Sequence, residues 1–296
     1  MSTAQNTKLG IWLMIATTLV FAAQDGISRH LGSNYPVTMV VMVRFWFFGL
    51  FAVALAARAQ GGLRAAATSA YPWVQISRAV ILVAEIAVML VAFVKLGLIE
   101  SHAVFTCYPL LVAALSGPIL GEKVGWRRWS AILVGFLGVV IILEPGFGVF
   151  SPWALVPLLS AAMFAVYGLL TRYVARKDTA TVSFFYTGVV GAIAMTPFGL
   201  AHWVWMTPGD WGWMFLLCCT AALSHWLLIR SYEVAEASAI QPFAYLQLVW
   251  AAAIGLFVFG EVLRVNVAIG AGIVVAAGVF TLWRQRLREK AALRQG

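Results

Sequence analysis

The chain has 296 residues, of which 62% are hydrophobic and only 10% charged, with a formal net charge of +9. A soluble domain carries about a quarter charged residues, so this composition excludes an ordinarily hydrated surface and predicts an all-α polytopic membrane protein. The positive excess does not call for nucleic acid, because basic loops facing an anionic leaflet account for it; the expected partners are the bilayer and a small-molecule substrate, with no cofactor.

Ten hydrophobic runs follow in chain order, at 9–27, 37–57, 73–94, 102–120, 129–146, 153–171, 181–200, 211–229, 239–259 and 265–283. Each is near the roughly 20 residues that a helix needs to cross about 30 Å of hydrocarbon. Strands of a β-barrel would be about half as long and would alternate polar with apolar residues, which these do not. The first run follows Lys8 and superficially looks like a signal sequence, but no small-residue cleavage site leads into a polar mature domain, so it reads as an anchoring span.

Gln24 and Asp25 lie late in the first span. Arg29, four residues beyond Asp25, offers a local helical ion pair at the outer interface; the functional alternative for Asp25 is an outer gate or proton site. In the second span Arg44 interrupts an apolar run and reads as half of a structural ion pair with Glu85 or Asp25. Glu85 of the third span lies about twelve residues beyond Trp73, roughly 18 Å along its helix and near the midplane. An ionised carboxylate there costs at least about 2.5 kcal/mol, so Glu85 should face the bundle interior or a wet cavity, as a substrate or proton site or as a structural partner. Arg78 lies two turns earlier on the same helical face; its first reading is a side chain snorkelling to the cytoplasmic interface, its second a counter-charge for Glu85 or Asp25.

In the fourth span Tyr108 precedes Pro109, and a proline within a span frees a backbone carbonyl that a side chain, water or substrate must satisfy. Pro109 is therefore the candidate hinge, whereas Pro242 falls where a first-turn proline costs little. Tyr167 of the sixth span, His225 and Trp226 of the eighth, and Gln241, Tyr245, Gln247 and Trp250 of the ninth supply the remaining inner polar and aromatic groups, with His102 at the start of the fourth. Gln241 and Tyr245 share one helical face. Trp226 and Trp250 lie deeper than belt-forming tryptophans such as Trp73, Trp126 and Trp153; they are candidates to stack on an aromatic or apolar substrate, with packing as the alternative. Cys107, Cys218 and Cys219 all fall within spans and read as small packing residues. Small residues four apart, as at Gly117 and Gly121 or Gly188 and Ala192, allow close helix approach, within a monomer or in a homodimer.

With a cytoplasmic N-terminus, fifteen of the twenty basic residues lie inside, among them Arg58, Arg64, Arg176 and Lys177, and only Arg29, Lys95 and Arg264 lie outside. That imbalance predicts both termini in the cytoplasm. The chain also repeats itself: Gly121-Glu122 is answered by Gly260-Glu261, Leu98-Ile99-Glu100-Ser101 by Ala235-Glu236-Ala237-Ser238, and Phe21-Ala22 by Phe164-Ala165, which makes Gln24 and Tyr167 corresponding residues. Two five-span repeats, 1–147 and 148–296, are expected; an odd span number inverts the second relative to the first, as in alternating-access carriers.

These paired motifs, the Gly-Glu closing the fourth and ninth spans, and the Gly-rich fifth and tenth spans resemble the drug/metabolite transporter superfamily, in its ten-helix EamA-type branch. Within the branch the chain most resembles bacterial amino-acid exporters of the YddG type. The resemblance implies a basket of helices 1, 3, 4, 6, 8 and 9 around a central cavity, with helices 5 and 10 peripheral and helix 2 outside the lining. It implies an inner-membrane secondary transporter exporting amino acids such as Trp, Phe or Met, or an importer or exchanger of a larger nucleoside-like or S-adenosylmethionine-like metabolite. No Walker A motif, metal-ligand spacing or nucleophile–base pair stands out, so an ATP motor in this chain is excluded and an enzyme is not expected.

Overall fold

The computed structural model describes residues 6–121, 126–143, 152–235, 240 and 243–293, and among these every regular element is helical. The chain runs through α1 (Thr7–Asn34), α2 (Val37–Arg58), the short α3 (Gly62–Ala67), α4 (Pro72–Leu96), α5 (Leu98–Phe105), α6 (Tyr108–Leu120) and α7 (Trp126–Leu143). After a 3-10 turn at Pro152–Ala154 come α8 (Leu155–Val174), α9 (Ala180–Ala201), α10 (Pro208–Val234), α11 (Leu246–Phe259) and α12 (Val265–Leu293). Local chemistry sets many of the ends. The Asn6 side chain accepts from the Leu9 N–H, Thr179 from Val182 and Thr207 from Asp210, each satisfying a donor that a helix start leaves open. Prolines open α4 and α10, where their missing N–H would be unbonded in any case.

Among the described residues seven stretches are long and apolar enough to cross a membrane, α5 and α6 counting together as one, and Trp129–Leu143, Leu246–Phe259 and Val265–Phe280 are shorter apolar helices. Large apolar side chains face outward, with Phe257 88% and Leu50 73% exposed. Such a surface is stable in lipid and not in water, so the chain is a multi-pass membrane protein.

The principal packing contacts pair α2 with α9, α7 with α12, α1 with α10 and α4 with α8, each joining residues before 144 to residues after 152. One apolar core, including Met42, Phe45, Phe48, Leu90, Phe93 and Leu217, lies where α2, α4 and α10 meet. A second, including Val104, Leu110, Ile132, Val139 and Val274, gathers α5 to α7 against α12. A Cβ on Gly138 would lie 2.7 Å from the Gly270 carbonyl oxygen, so only glycine lets α7 and α12 cross so closely.

Candidate substrate site

A pocket opens between α2, α4 and α10, lined by Arg44, Phe45, Phe48, Leu82, Ile86, Ala221 and His225. Its enclosed space, about 10 Å³, has room for about one water and not for a metabolite. The site is shown constricted. His225 is fixed by its Nδ1 lying 2.9 Å from the Ala221 carbonyl oxygen, and its ring stands between those of Phe21 and Phe48, at 5.4 and 5.6 Å. Arg44 is 8% exposed. The carboxyl groups of Asp25 and Glu85 lie in its neighbourhood.

Each carboxylate is engaged elsewhere. Glu85 Oε1 accepts a 2.6 Å hydrogen bond from Ser160 Oγ of α8. Asp25 Oδ2 accepts from Gln247 Nε2 of α11 at 3.1 Å and lies 3.2 Å from His102 Nε2, near enough for an ion pair though out of line for a hydrogen bond. Gln24, beside Asp25, accepts from Ser224 Oγ of α10 at 3.3 Å. These polar links cross from the helices before residue 144 to those after 152 in the bundle interior.

Both ends of the bundle are bridged. Where α1 finishes, the Glu261 carboxylate accepts from the N–H groups of Leu98 and Ile99, at 2.8 and 2.9 Å, and pairs with Arg29. It thereby caps the start of α5 with a negative charge where the helix dipole favours one. Gly97, at φ +87°, permits this, since a Cβ there would lie 2.5 Å from a Glu261 oxygen. Arg264 pairs with Glu100 at 2.6 Å beside it. At the opposite end Asp178, in the turn before α9, accepts from Ser69, Gln75 and the Ala70 N–H. Burial works to raise the Asp178 carboxyl, but these bonds and the nearby Arg78 charge prevail and hold it below the usual carboxylate range.

An apolar bundle with charges turned inward is a known membrane architecture, and the EamA-like transporter family model matches it twice along the chain, over residues 8–144 and 151–283. The chain belongs to the EamA-like transporter family. Among relatives of this EamA-like chain, an S-adenosylmethionine uptake transporter of Rickettsia prowazekii is 26% identical, with 97% of both chains covered. A riboflavin transporter of Vibrio cholerae is 28% identical, again over 97% of each. A solved crystal structure shares the fold with a TM-score of 0.63 at 18% identity, covering 95% of this chain and 98% of the other.

Within this EamA-like bundle several sequence expectations need correcting. Asp25 does not pair with Arg29: Arg29 is drawn to Glu261, and Asp25 turns inward to Gln247 and His102, because partners on other helices remove it from lipid more completely than a neighbour on its own helix would. Arg78 does not snorkel. It is 2% exposed, donates to Gln75 Oε1, the Ser183 carbonyl and Thr187 Oγ1 at 2.8 to 2.9 Å, and lies 5.2 Å from the centroid of the Tyr167 ring. Trp226 is 50% exposed and faces outward, so it cannot stack on a molecule inside. Tyr245 is buried, its hydroxyl has no hydrogen-bond partner among the described residues, and it packs against Gly278 of α12, away from the pocket. Trp250 donates to Thr18 Oγ1 at 3.3 Å, tying α11 to α1.

Tyr108 packs edge-on against Phe164, the neighbour of Tyr167, with centroids 5.0 Å apart. Pro109 stands in the first turn of α6, just after α5 ends and the chain turns at Thr106 and Cys107, so the fourth span is broken where a hinge was expected. Gln241 lies outside the described residues. Sequence reasoning missed the lining role of Arg44, Phe45 and Phe48, having placed the second helix outside the cavity. The one available signal was a charge inside an apolar run.

Proposed function

We propose that this chain is a secondary carrier of a small zwitterionic metabolite with an aromatic or apolar body, moved across the bacterial inner membrane by alternating access. The observation that carries the reading is the Arg44 pocket: a cation and ring walls line one space, and the Asp25 carboxyl lies near enough to act on that cation. Such a set suits a molecule carrying both an acid and an amine. Relatives named for S-adenosylmethionine uptake and for riboflavin support a substrate with a fused aromatic ring. An S-adenosylmethionine-like compound, taken up or exchanged, joins that ring to a zwitterionic α-amino acid through a further, sulfonium charge and stands first. Export of free tryptophan, phenylalanine or methionine stands second, supported by the resemblance to amino-acid exporters.

The double family match and the paired helix contacts support two repeats, 1–147 and 148–296, inverted with both termini cytoplasmic. Opening would then alternate between the Glu261 end and the Asp178 end. A reporter fused at Arg294 should be cytoplasmic and one inserted near Gly148 periplasmic; a periplasmic C-terminus would overturn the orientation. The substrate is tested by counterflow in proteoliposomes loaded with S-adenosylmethionine, tryptophan, phenylalanine, methionine or riboflavin. Saturable exchange of a zwitterion supports the reading. Exchange of riboflavin alone, or flux without exchange, contradicts it.

A further inference from the structure

Arg44 makes no hydrogen bond or ion pair with any described residue, although it is more than nine-tenths buried in a membrane-spanning helix. None of its nitrogens is both fully enclosed and without a partner, so the guanidinium keeps a small accessible face, but a charge held in a membrane-spanning helix is costly and proteins normally answer it with a partner. The neighbouring carboxylates do not fill that role, since Asp25 is turned to Gln247 and His102 and Glu85 to Ser160. What Arg44 does line is the pocket. Its surroundings there are the rings of Phe45, Phe48 and His225 and the aliphatic chains of Leu82 and Ile86.

We propose that Arg44 is the receptor for the carboxylate of the transported molecule, a role that rests on the carrier reading above. The planar fork of a guanidinium matches a carboxylate with two parallel N–H···O bonds, stronger than neutral ones and sharper where water is excluded. The ligand is a monoanionic carboxylate and not a phosphate ester. Arg44 is the one permanent cation among the lining residues, so a second negative charge on the ligand would find no counter-charge among them. The apolar body then lies against Phe45, Phe48, Leu82 and Ile86. Neutral compounds of the same shape are poor ligands, because they leave the guanidinium unanswered.

The test uses the purified full-length protein in nanodiscs and measures binding of S-adenosylmethionine, tryptophan and methionine beside their carboxamides, which keep shape and amine but lose the anion. At least one acid should bind the wild type about 100-fold more tightly than its amide. Arg44→Gln should weaken that acid by a similar factor and bring the acid-to-amide ratio near one. Arg44→Lys, with a point charge in place of a fork, should keep part of the preference, and it serves if the glutamine variant fails to fold. An undiminished preference in either variant, equal binding of acid and amide by the wild type, binding of none of the acids, or tighter binding of a phosphomonoester would overturn the assignment. Acid preference without counterflow would instead overturn the carrier reading and leave Arg44 as a carboxylate receptor. Counterflow without acid preference would do the reverse.

Discussion

Arg78 and Arg44 are both buried arginines inside apolar helices, and their surroundings differ completely. Around Arg78, Gln75, Ser183, Thr187 and Tyr167 supply acceptors and a ring face, so the charge is held by neutral groups and helps fasten α4 to α9. Around Arg44 the walls are rings and aliphatic chains, and no described group accepts from it. The difference separates structure from function: a satisfied buried charge stabilises the bundle, whereas an unsatisfied one marks where another molecule belongs.

Replacing each arginine by an apolar side chain tests that contrast. Arg44→Met should lower counterflow by about 100-fold, or about 2.7 kcal/mol, while leaving the melting temperature unchanged or raised, since it removes a charge without a partner. Arg78→Met should do the opposite, costing about 2–4 kcal/mol of stability by orphaning Gln75 and Thr187, with transport per folded molecule largely kept. Detergent melting curves and counterflow on the same preparations distinguish the two; equal stability losses would erase the contrast.

Glu85→Gln should reduce transport by about 10-fold with normal insertion, because the amide can still accept from Ser160 but can no longer bind and release a proton. Near-normal exchange would make Glu85 a packing residue of the Arg78 kind. The smallest effect is expected at Asp178. Its carboxyl is held below the usual range when folded, so its stabilisation is complete above the unfolded value of about 3.9 and is lost as pH falls through the folded value. Melting temperature measured against pH should therefore drop on the acid side for the wild type and fall less steeply for Asp178→Asn. Parallel profiles would remove Asp178 from the account.

Much of this was legible in the sequence, and most of the failures share a cause. Apolar length and charge scarcity set the membrane fold, and Glu85 and Arg78 stood out because ionised groups are costly in hydrocarbon. Pro109 pointed to the break after Phe105. Depth along a helix could be counted, but direction around it could not. α10 is apolar on both faces, so nothing in its periodicity told that His225 turns inward and Trp226 outward. Asp25 and Arg29 looked like a local pair because spacing reveals neighbours on one helix, while Gln247 and Glu261, more than 200 residues away, win through the tertiary fold. Arg44 was set aside for another reason, because the family resemblance placed the second helix outside the cavity lining.

The most direct measurement places a single cysteine at Ala221, on the pocket wall facing Arg44, after Cys107, Cys218 and Cys219 are replaced by serine. If this space is the substrate path, a small water-soluble thiol reagent should label Ala221→Cys in proteoliposomes, and the metabolite that supports counterflow should slow labelling at least several-fold. Absence of labelling, or labelling at one rate with and without that metabolite, would contradict the account.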